Sequence, residues 1–263
     1  MDLGLKGKVA MVAGASRGLG YAVARCLAAE GVLVSMSSRQ EGAIADAAKR
    51  VSAESYIETL AVPVDVRDAA SIANWHAKTV EKFGGVDLLF TNAGGPPAGT
   101  VLSFDDDAWK AAFELLVLSA VRMVRLAVPS MKARGGGAIV VSTSTAVKEP
   151  VPNLALSNVV RTSAAALSKT LSNELAADNI RVNHLMPGRI DTDRVRELDT
   201  IRAKATGASA DAVKDMWAKT IPLGRYGVAE EYGTAAVFLF SKAASYISGA
   251  SLQVDGGMVK TVM

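Results

Sequence analysis

The residues with the clearest chemical purpose lie near the start of the chain, in the run Gly14-Ala15-Ser16-Arg17-Gly18-Leu19-Gly20. Glycines at this spacing, between a short apolar run and a helical segment, permit a tight turn and bring backbone N–H groups close to a pyrophosphate. The positive end of the following helix then faces that anion. Without a ligand the same residues are simply a tight strand-to-helix turn, so the surrounding elements decide between the two. Other reactive side chains are sparse. Cys26 is the single cysteine, which removes disulfides and thiolate clusters and suits a reducing compartment. His76 and His184 are the two histidines, and they offer no metal-ligand spacing, so no metal is expected. His184 lies within an apolar run and reads as a core histidine.

Short apolar runs alternate with segments of helical period along the chain, the pattern of a parallel sheet covered on both faces. Strands are expected at residues 9–13, 32–36, 59–64, 87–91, 138–142, 181–186 and 251–254. Helices are expected at 19–30, 42–53, 69–83, 106–132, 154–177 and 229–241. They make a single doubly wound α/β domain over residues 1–263, with a seven-stranded parallel sheet and helices on both faces. Residues 189–220 break this rhythm, being polar, charged and too long for an ordinary connection; they read as a lid insertion over the site. Asp191, Asp193 and Arg194, which open that segment, read as surface charges or hinge contacts.

Composition sets the outer limits. Half of the 263 residues are hydrophobic and 21% are charged, enough apolar surface to order the chain. The 29 Lys and Arg are interspersed among 26 Asp and Glu, net +3, which leaves no basic patch for nucleic acid. No uncharged apolar stretch reaches the roughly 18 residues of a membrane span, and the N-terminus lacks a signal-like pattern. A soluble, cytoplasmic protein without nucleic-acid or membrane partners is expected.

Six ordered motifs sharpen the reading: the 14–20 turn, Asp65-Val66, Asn92-Ala93-Gly94, Pro187-Gly188, Pro222-Leu223-Gly224-Arg225 and Asp255-Gly256-Gly257. Through them essentially the whole chain resembles the short-chain dehydrogenase/reductase family, and most of all its 3-oxoacyl-acyl-carrier-protein reductases. The resemblance implies a Rossmann-type fold, a nicotinamide dinucleotide, a small carbonyl or alcohol substrate, and a homo-oligomer, tetramer or dimer. It assigns Gly14, Ser16, Arg17, Gly18, Leu19 and Gly20 to the phosphate turn and Asp65 and Val66 to the adenine. Asn92, Ala93 and Gly94 would line the adenosine ribose and pyrophosphate, and Pro187, Gly188, Ile190 and Thr192 the nicotinamide end. The plain alternative is that Asn92 and Gly94 shape a turn and Pro187-Gly188 ends a strand. After the second strand come Ser37-Ser38-Arg39, with no acid to accept the ribose hydroxyls. Ser38 and Arg39 suit a 2′-phosphate and Arg17 can approach from the glycine turn, so NADP is expected over NAD.

The resemblance breaks at the catalytic end. The family uses a tyrosine as proton donor, a lysine four residues later, a serine about thirteen residues before the tyrosine, and an asparagine on the preceding helix. Ser144 falls on the serine, but Ser157 stands for the tyrosine, Arg161 for the lysine and Leu116 for the asparagine. An aliphatic hydroxyl is far less acidic than a phenol of pKa about 10, so Ser157 does not inherit the tyrosine's role directly. Arg161 keeps the positive charge and, one helical turn on, is placed to hydrogen-bond the nicotinamide ribose, but it stays protonated and so is no proton donor at ordinary pH. Lys148 and Glu149, on the loop after Ser144, are alternative donors or a solvated pair. Two functions remain open: an NADP-dependent oxidoreductase in which Ser144, Ser157 and Arg161 form an altered site, and a nucleotide-binding or regulatory protein that has lost hydride chemistry.

Overall fold

Runs too continuously apolar to alternate become strands buried on both faces. They are β1 (Val9–Ala13), β2 (Leu33–Ser38), β3 (Thr59–Pro63), β4 (Leu88–Thr91), β5 (Gly137–Ser142), β6 (Ile180–Pro187) and β7 (Ser251–Val254). In the computed structural model, which describes residues 2–262, they form one parallel sheet of order β3-β2-β1-β4-β5-β6-β7. The helices between them are α1 (Gly18–Ala29), α2 (Glu41–Ser55), α3 (Ala69–Phe83), α4 (Asp106–Phe113), α5 (Ser119–Ala133), α6 (Ala155–Glu174), α7 (Asp193–Thr206), α8 (Ala210–Ala218) and α9 (Ala229–Phe240).

Strand alternation divides the core into two layers. Ala10 and Val12 of β1 pack with Val23 and Leu27 of α1, Ile44 and Val51 of α2, and Tyr232 and Val237 of α9. Met11 and Ala13 pack on the other face with Trp75 of α3, Met123 and Ala127 of α5, and Leu156 and Val160 of α6. Strand order reverses direction between β1 and β4, so a crevice opens beyond their carboxyl ends, where a ligand of such a sheet belongs.

Two expectations need correction. Residues 106–132 are not one helix: a π-helical turn, Glu114–Leu118, separates α4 from α5. Its wider turn lets buried Leu116 and Val117 pack in the α6-side core, a local accommodation of the kind found at functional sites. Residues 189–220 hold two helices the sequence reading did not place, α7 and α8, capped by the Thr192 and Ser209 hydroxyls accepting from the N–H groups of Val195 and Ala212. The segment is also pinned. Asp199, buried, accepts from Arg189 Nη1 at 2.8 Å and from the Tyr226 hydroxyl at 2.9 Å, while the Arg189 guanidinium lies 3.9 Å above the Trp217 ring.

Candidate active site

The glycine turn connects β1 to α1 at the crevice. Gly14 has φ +64°, and a Cβ on it would meet Asn92 Nδ2 at 2.7 Å. Asn92, at the end of β4, donates to the Ala13 carbonyl at 3.3 Å and so ties the two strand ends together. A Cβ on Gly20 would lie 2.3 Å from the Gly14 carbonyl oxygen, which forbids any side chain and holds the start of α1 against the turn. The Thr192 methyl sits 3.7 Å from where a Gly18 Cβ would be, so the turn meets the start of α7. Open space remains above Gly94.

At the end of β2 the hydroxyls of Ser37 and Ser38 are buried without a hydrogen-bond partner among the described residues. Arg39 beside them is exposed. Arg17 is turned the other way, donating to Asp193 of α7 at 3.4 Å rather than approaching Ser38 and Arg39. That pair is well exposed, so it holds Arg17 only weakly. The Asp65 carboxylate is clamped by the Arg67 side chain, whose hydrogen bonds pull its pKa down to about 2; Val66 follows it. At the far end, Gly188 N–H donates to the Val254 carbonyl, Ile190 is buried and bridges Gly227, and Thr192 caps α7. The cofactor-end positions 14–20, 92–94 and 187–192 therefore converge on one crevice.

The positions that the resemblance assigns to catalysis follow β5 and lie on the first turns of α6. Ser144 follows β5, and its Oγ accepts from Ala146 N–H at 3.1 Å. Ser157 and Arg161 are one helical turn apart on α6, and Arg161 Nε donates to Ser157 Oγ at 3.2 Å. Arg161 Nη1 donates to the Thr143 carbonyl at 3.2 Å. Loss of water around the guanidinium lowers the Arg161 pKa to about 10, so it is a cation throughout the neutral range. Leu116 is buried within the apolar core and brings no polar atom.

The alternative donors point elsewhere. Lys148 donates to Gln253 at 3.3 Å, and Glu149 accepts from the Lys260 N–H. His184 is a satisfied core histidine: Nδ1 is 3.0 Å from Thr143 Oγ1, Nε2 bonds Ser251 Oγ, and burial holds its pKa down at about 4. Cys26 is half-buried, and burial raises its thiol pKa. Among the described residues no group of His, Cys, Asp and Glu could hold a metal ion, and no helix is long and apolar enough to cross a membrane.

Sequence reasoning missed two features. Tyr232 of α9 is fully buried, its hydroxyl 2.9 Å from Ser142 Oγ at the end of β5, and burial raises its pKa; no local pattern links positions 90 residues apart. Arg194, on the first turn of α7, reaches back to the Pro96 carbonyl at 3.4 Å and lies across Gly95, beside the crevice. The lone clue was its place just after Pro187-Gly188.

A doubly wound parallel sheet with a glycine turn at its switch point defines a dinucleotide-binding fold. The family model described as enoyl-(acyl carrier protein) reductase matches residues 14–259. Dehydrogenase/reductase SDR family member 4 of Homo sapiens is 34% identical over 96% of this chain and 88% of its own. The 3-oxoacyl-acyl-carrier-protein reductase of Chlamydia muridarum is 31% identical over 97% of this chain and 98% of its own. Among solved structures, the L-sorbose reductase of Gluconobacter frateurii, complexed with NADPH and L-sorbose, superposes with TM-score 0.95 at 36% identity over all of both chains. The chain belongs to the short-chain dehydrogenase/reductase family of oxidoreductases.

Proposed function

We propose that the protein is an NADP(H)-dependent oxidoreductase interconverting a carbonyl and an alcohol, with Arg161 as the electrostatic centre of an altered site. The observation that carries this reading is the placement of Arg161, a retained cation whose fork holds Ser157 Oγ and the Thr143 carbonyl just beyond the end of β5. The crevice suits the cofactor: the Gly14–Gly20 contact forbids a side chain at Gly20 and keeps the start of α1 close to the turn, and the orphaned Ser38 hydroxyl and exposed Arg39 suit a 2′-phosphate. NADPH is the cofactor of the L-sorbose reductase complex and of a polyketide ketoreductase at 28% identity and TM-score 0.92. Ser16, Arg17, Leu19, Asp65, Val66, Asn92, Ala93, Pro187, Gly188, Ile190 and Thr192 complete the cofactor's contacts, with Arg161 at the nicotinamide ribose.

When bound, the dinucleotide supplies or accepts the hydride. The chain's own residues do the rest. Ser144 and Ser157 each accept one hydrogen bond, from Ala146 N–H and Arg161 Nε, which leaves both O–H groups free to donate to a substrate oxygen. Arg161 stabilises the negative charge that develops there, an interaction whose removal typically costs about 10²–10³ in rate. The serine hydroxyls pass a proton from solvent to that oxygen. Orientation of the two reactants lowers the barrier by roughly 7–11 kcal/mol in well-aligned sites, so loss of the phenol slows hydride transfer without abolishing it.

The other reading, a nucleotide-binding protein without turnover, is favoured by one observation, the dry packing of Leu116 where the family holds an asparagine. Steady-state NADPH oxidation across a panel of ketones and aldehydes, beside the variant carrying Leu116→Asn, Ser157→Tyr and Arg161→Lys, separates them. Turnover by the wild type is expected. Tight NADPH binding without turnover in the wild type, with activity only in the triple variant, would establish the other reading.

Self-association is part of the proposal. Exposed Phe113, Leu118 and Val159 rim an open groove of about 550 Å³ between α4 and α6, floored by Val160. Sedimentation as a dimer or tetramer is expected, and a monomer at micromolar concentration would contradict it.

A further inference from the structure

α7 is polar along its length and buries only Asp199 and Ala203. Asp199 is the carboxylate it turns inward, 4% exposed. A carboxylate taken out of water needs partners for its oxygens, and here both are engaged. Oδ1 accepts from Arg189 Nη1 at 2.8 Å and Oδ2 from the Tyr226 hydroxyl at 2.9 Å. Burial and the Asp199 carboxylate together raise the Tyr226 pKa, so the phenol stays a donor. Well-packed apolar residues in place of a buried ion pair are often equally or more stable, so stability alone does not account for this one.

The two donors belong to two segments that pair with each other. Arg189 follows Pro187-Gly188, and Tyr226 precedes Gly227. Gly227 N–H donates to the Arg189 carbonyl at 2.9 Å, and Asp191 N–H to the Gly227 carbonyl at 2.8 Å. A Cβ on Gly227 would lie 2.6 Å from Ile190 Cδ1, so the segments meet without a gap. Asp199 grips both from α7, and the Arg189 guanidinium also lies 3.9 Å from the centre of the Trp217 ring of α8.

The ion pairs of Asp193 and Arg196 hold α7 less firmly. Arg17–Asp193 and Arg196–Asp191 each have a well-exposed partner, and such pairs contribute little. Thr192, the N-cap of α7, sits against the glycine turn, its methyl 3.7 Å from where a Gly18 Cβ would be. The segment bearing Ile190 and Thr192 is therefore fixed at Gly227 on one side and through Arg189 to Asp199 on the other, with its far end at the phosphate turn.

We infer that Asp199 is a positioning residue for the nicotinamide half of the cofactor: by joining Arg189 to Tyr226 it holds Ile190 and Thr192 ready for that half before it binds. The adenosine half, served by Ser38, Arg39 and Asp65, does not depend on it. This rests on the cofactor reading, since the resemblance assigns residues 187–192 to the nicotinamide. A wall fixed in advance spares the cofactor the cost of ordering it. Asp199 acts through Arg189 and Tyr226, which take up both of its oxygens.

The test is calorimetric titration of the wild type, Asp199→Asn and Tyr226→Phe with NADPH and with adenosine 2′,5′-bisphosphate, which carries the adenosine half alone. In Asp199→Asn an amide donor faces Arg189 or Tyr226 in place of an acceptor, which cuts the tie. NADPH affinity is expected to fall about ten-fold, as when a binding-competent arrangement drops to roughly a tenth of the population, while the bisphosphate binds as it does to the wild type. Tyr226→Phe keeps the Arg189 pair and should weaken NADPH by about two- to five-fold on the same basis. Unchanged bisphosphate affinity also shows that a variant is folded; should Asp199→Asn bind neither ligand, Tyr226→Phe decides alone. An equal loss for both ligands in Tyr226→Phe, or a fall in Tm with both affinities unchanged, would overturn the inference and leave the cofactor reading standing. Binding of neither ligand by the wild type would overturn that reading and the inference with it.

Discussion

Arg161→Met is expected to lower kcat/KM for carbonyl reduction by about 10²–10³-fold while leaving the fold nearly intact. Methionine fills similar volume on α6 and keeps the apolar stem, so the change removes the charge and its fork. Ser157 Oγ loses the donor that orients it, and the Thr143 carbonyl loses its Nη1 partner. The magnitude follows from removing one preorganised donor aimed at developing negative charge. Stopped-flow or steady-state kinetics with NADPH measures it, and a loss below threefold would remove Arg161 from the chemistry. Ser157→Ala should lose less, because its hydroxyl can be replaced by water in a polar cleft.

Asp87→Ala is expected to cost about 3 kcal/mol of stability, the largest such effect of a single substitution in this fold outside the apolar core. Asp87 is 1% exposed at the entry to β4. Its carboxylate accepts from the Val9 N–H at 2.8 Å, from Lys8 Nζ at 3.2 Å, and from Arg134 Nε and Nη2 at 3.0 and 2.9 Å. One side chain thus ties β1, β4 and the end of α5. Removing one partner of a buried pair typically costs about 3–5 kcal/mol, and partial exposure of Lys8 and Arg134 keeps the loss near the lower end. At roughly 2–4 °C per kcal/mol for a chain of this size, Tm should fall by about 6–12 °C.

The same residue sets part of the acid stability. Burial alone would raise the Asp87 pKa, but the hydrogen bonds from Arg134 and Val9 outweigh it and the net shift is downward. A carboxyl whose folded pKa lies below its unfolded value, near about 3.9, stabilises the fold fully above that value. The contribution disappears as pH falls through the lower folded pKa. Denaturant midpoints measured between pH 6 and 2 should show a loss below about pH 4 that Asp87→Ala removes.

Much of this architecture is legible in the residues, for identifiable reasons. Strands such as Val9–Ala13 are short, continuously apolar and bounded by turn residues, so position and type follow from burial on both faces. The glycine turn is legible because its steric demand is local. The π-helical turn at Glu114–Leu118 is not, since Glu114-Leu115-Leu116-Val117-Leu118 holds no Gly or Pro and its width is set by packing against α6. The helices of residues 189–220 escape notice for the opposite reason: α7 is polar and mostly exposed, so its apolar period is faint, although Thr192 and Ser209 stand at the N-caps of α7 and α8. At the site, the replaced catalytic positions could be counted off from the motifs. That Arg161 pairs with no carboxylate among the described residues, that Arg17 turns toward Asp193 and that Arg194 reaches the Pro96 carbonyl all depend on side chains meeting across long stretches of chain.

The pH dependence of kcat/KM for NADPH-dependent carbonyl reduction, followed from pH 6 to 11, tests most directly whether a fixed cation has taken over from a titrating phenol. Arg161, its pKa lowered by burial only to about 10, stays protonated from pH 6 to about 9. A profile flat over that range, lowered by about the same factor at every pH in Arg161→Met, is the predicted result. A limb below about pH 8, or one that persists unchanged in Arg161→Met, would contradict it.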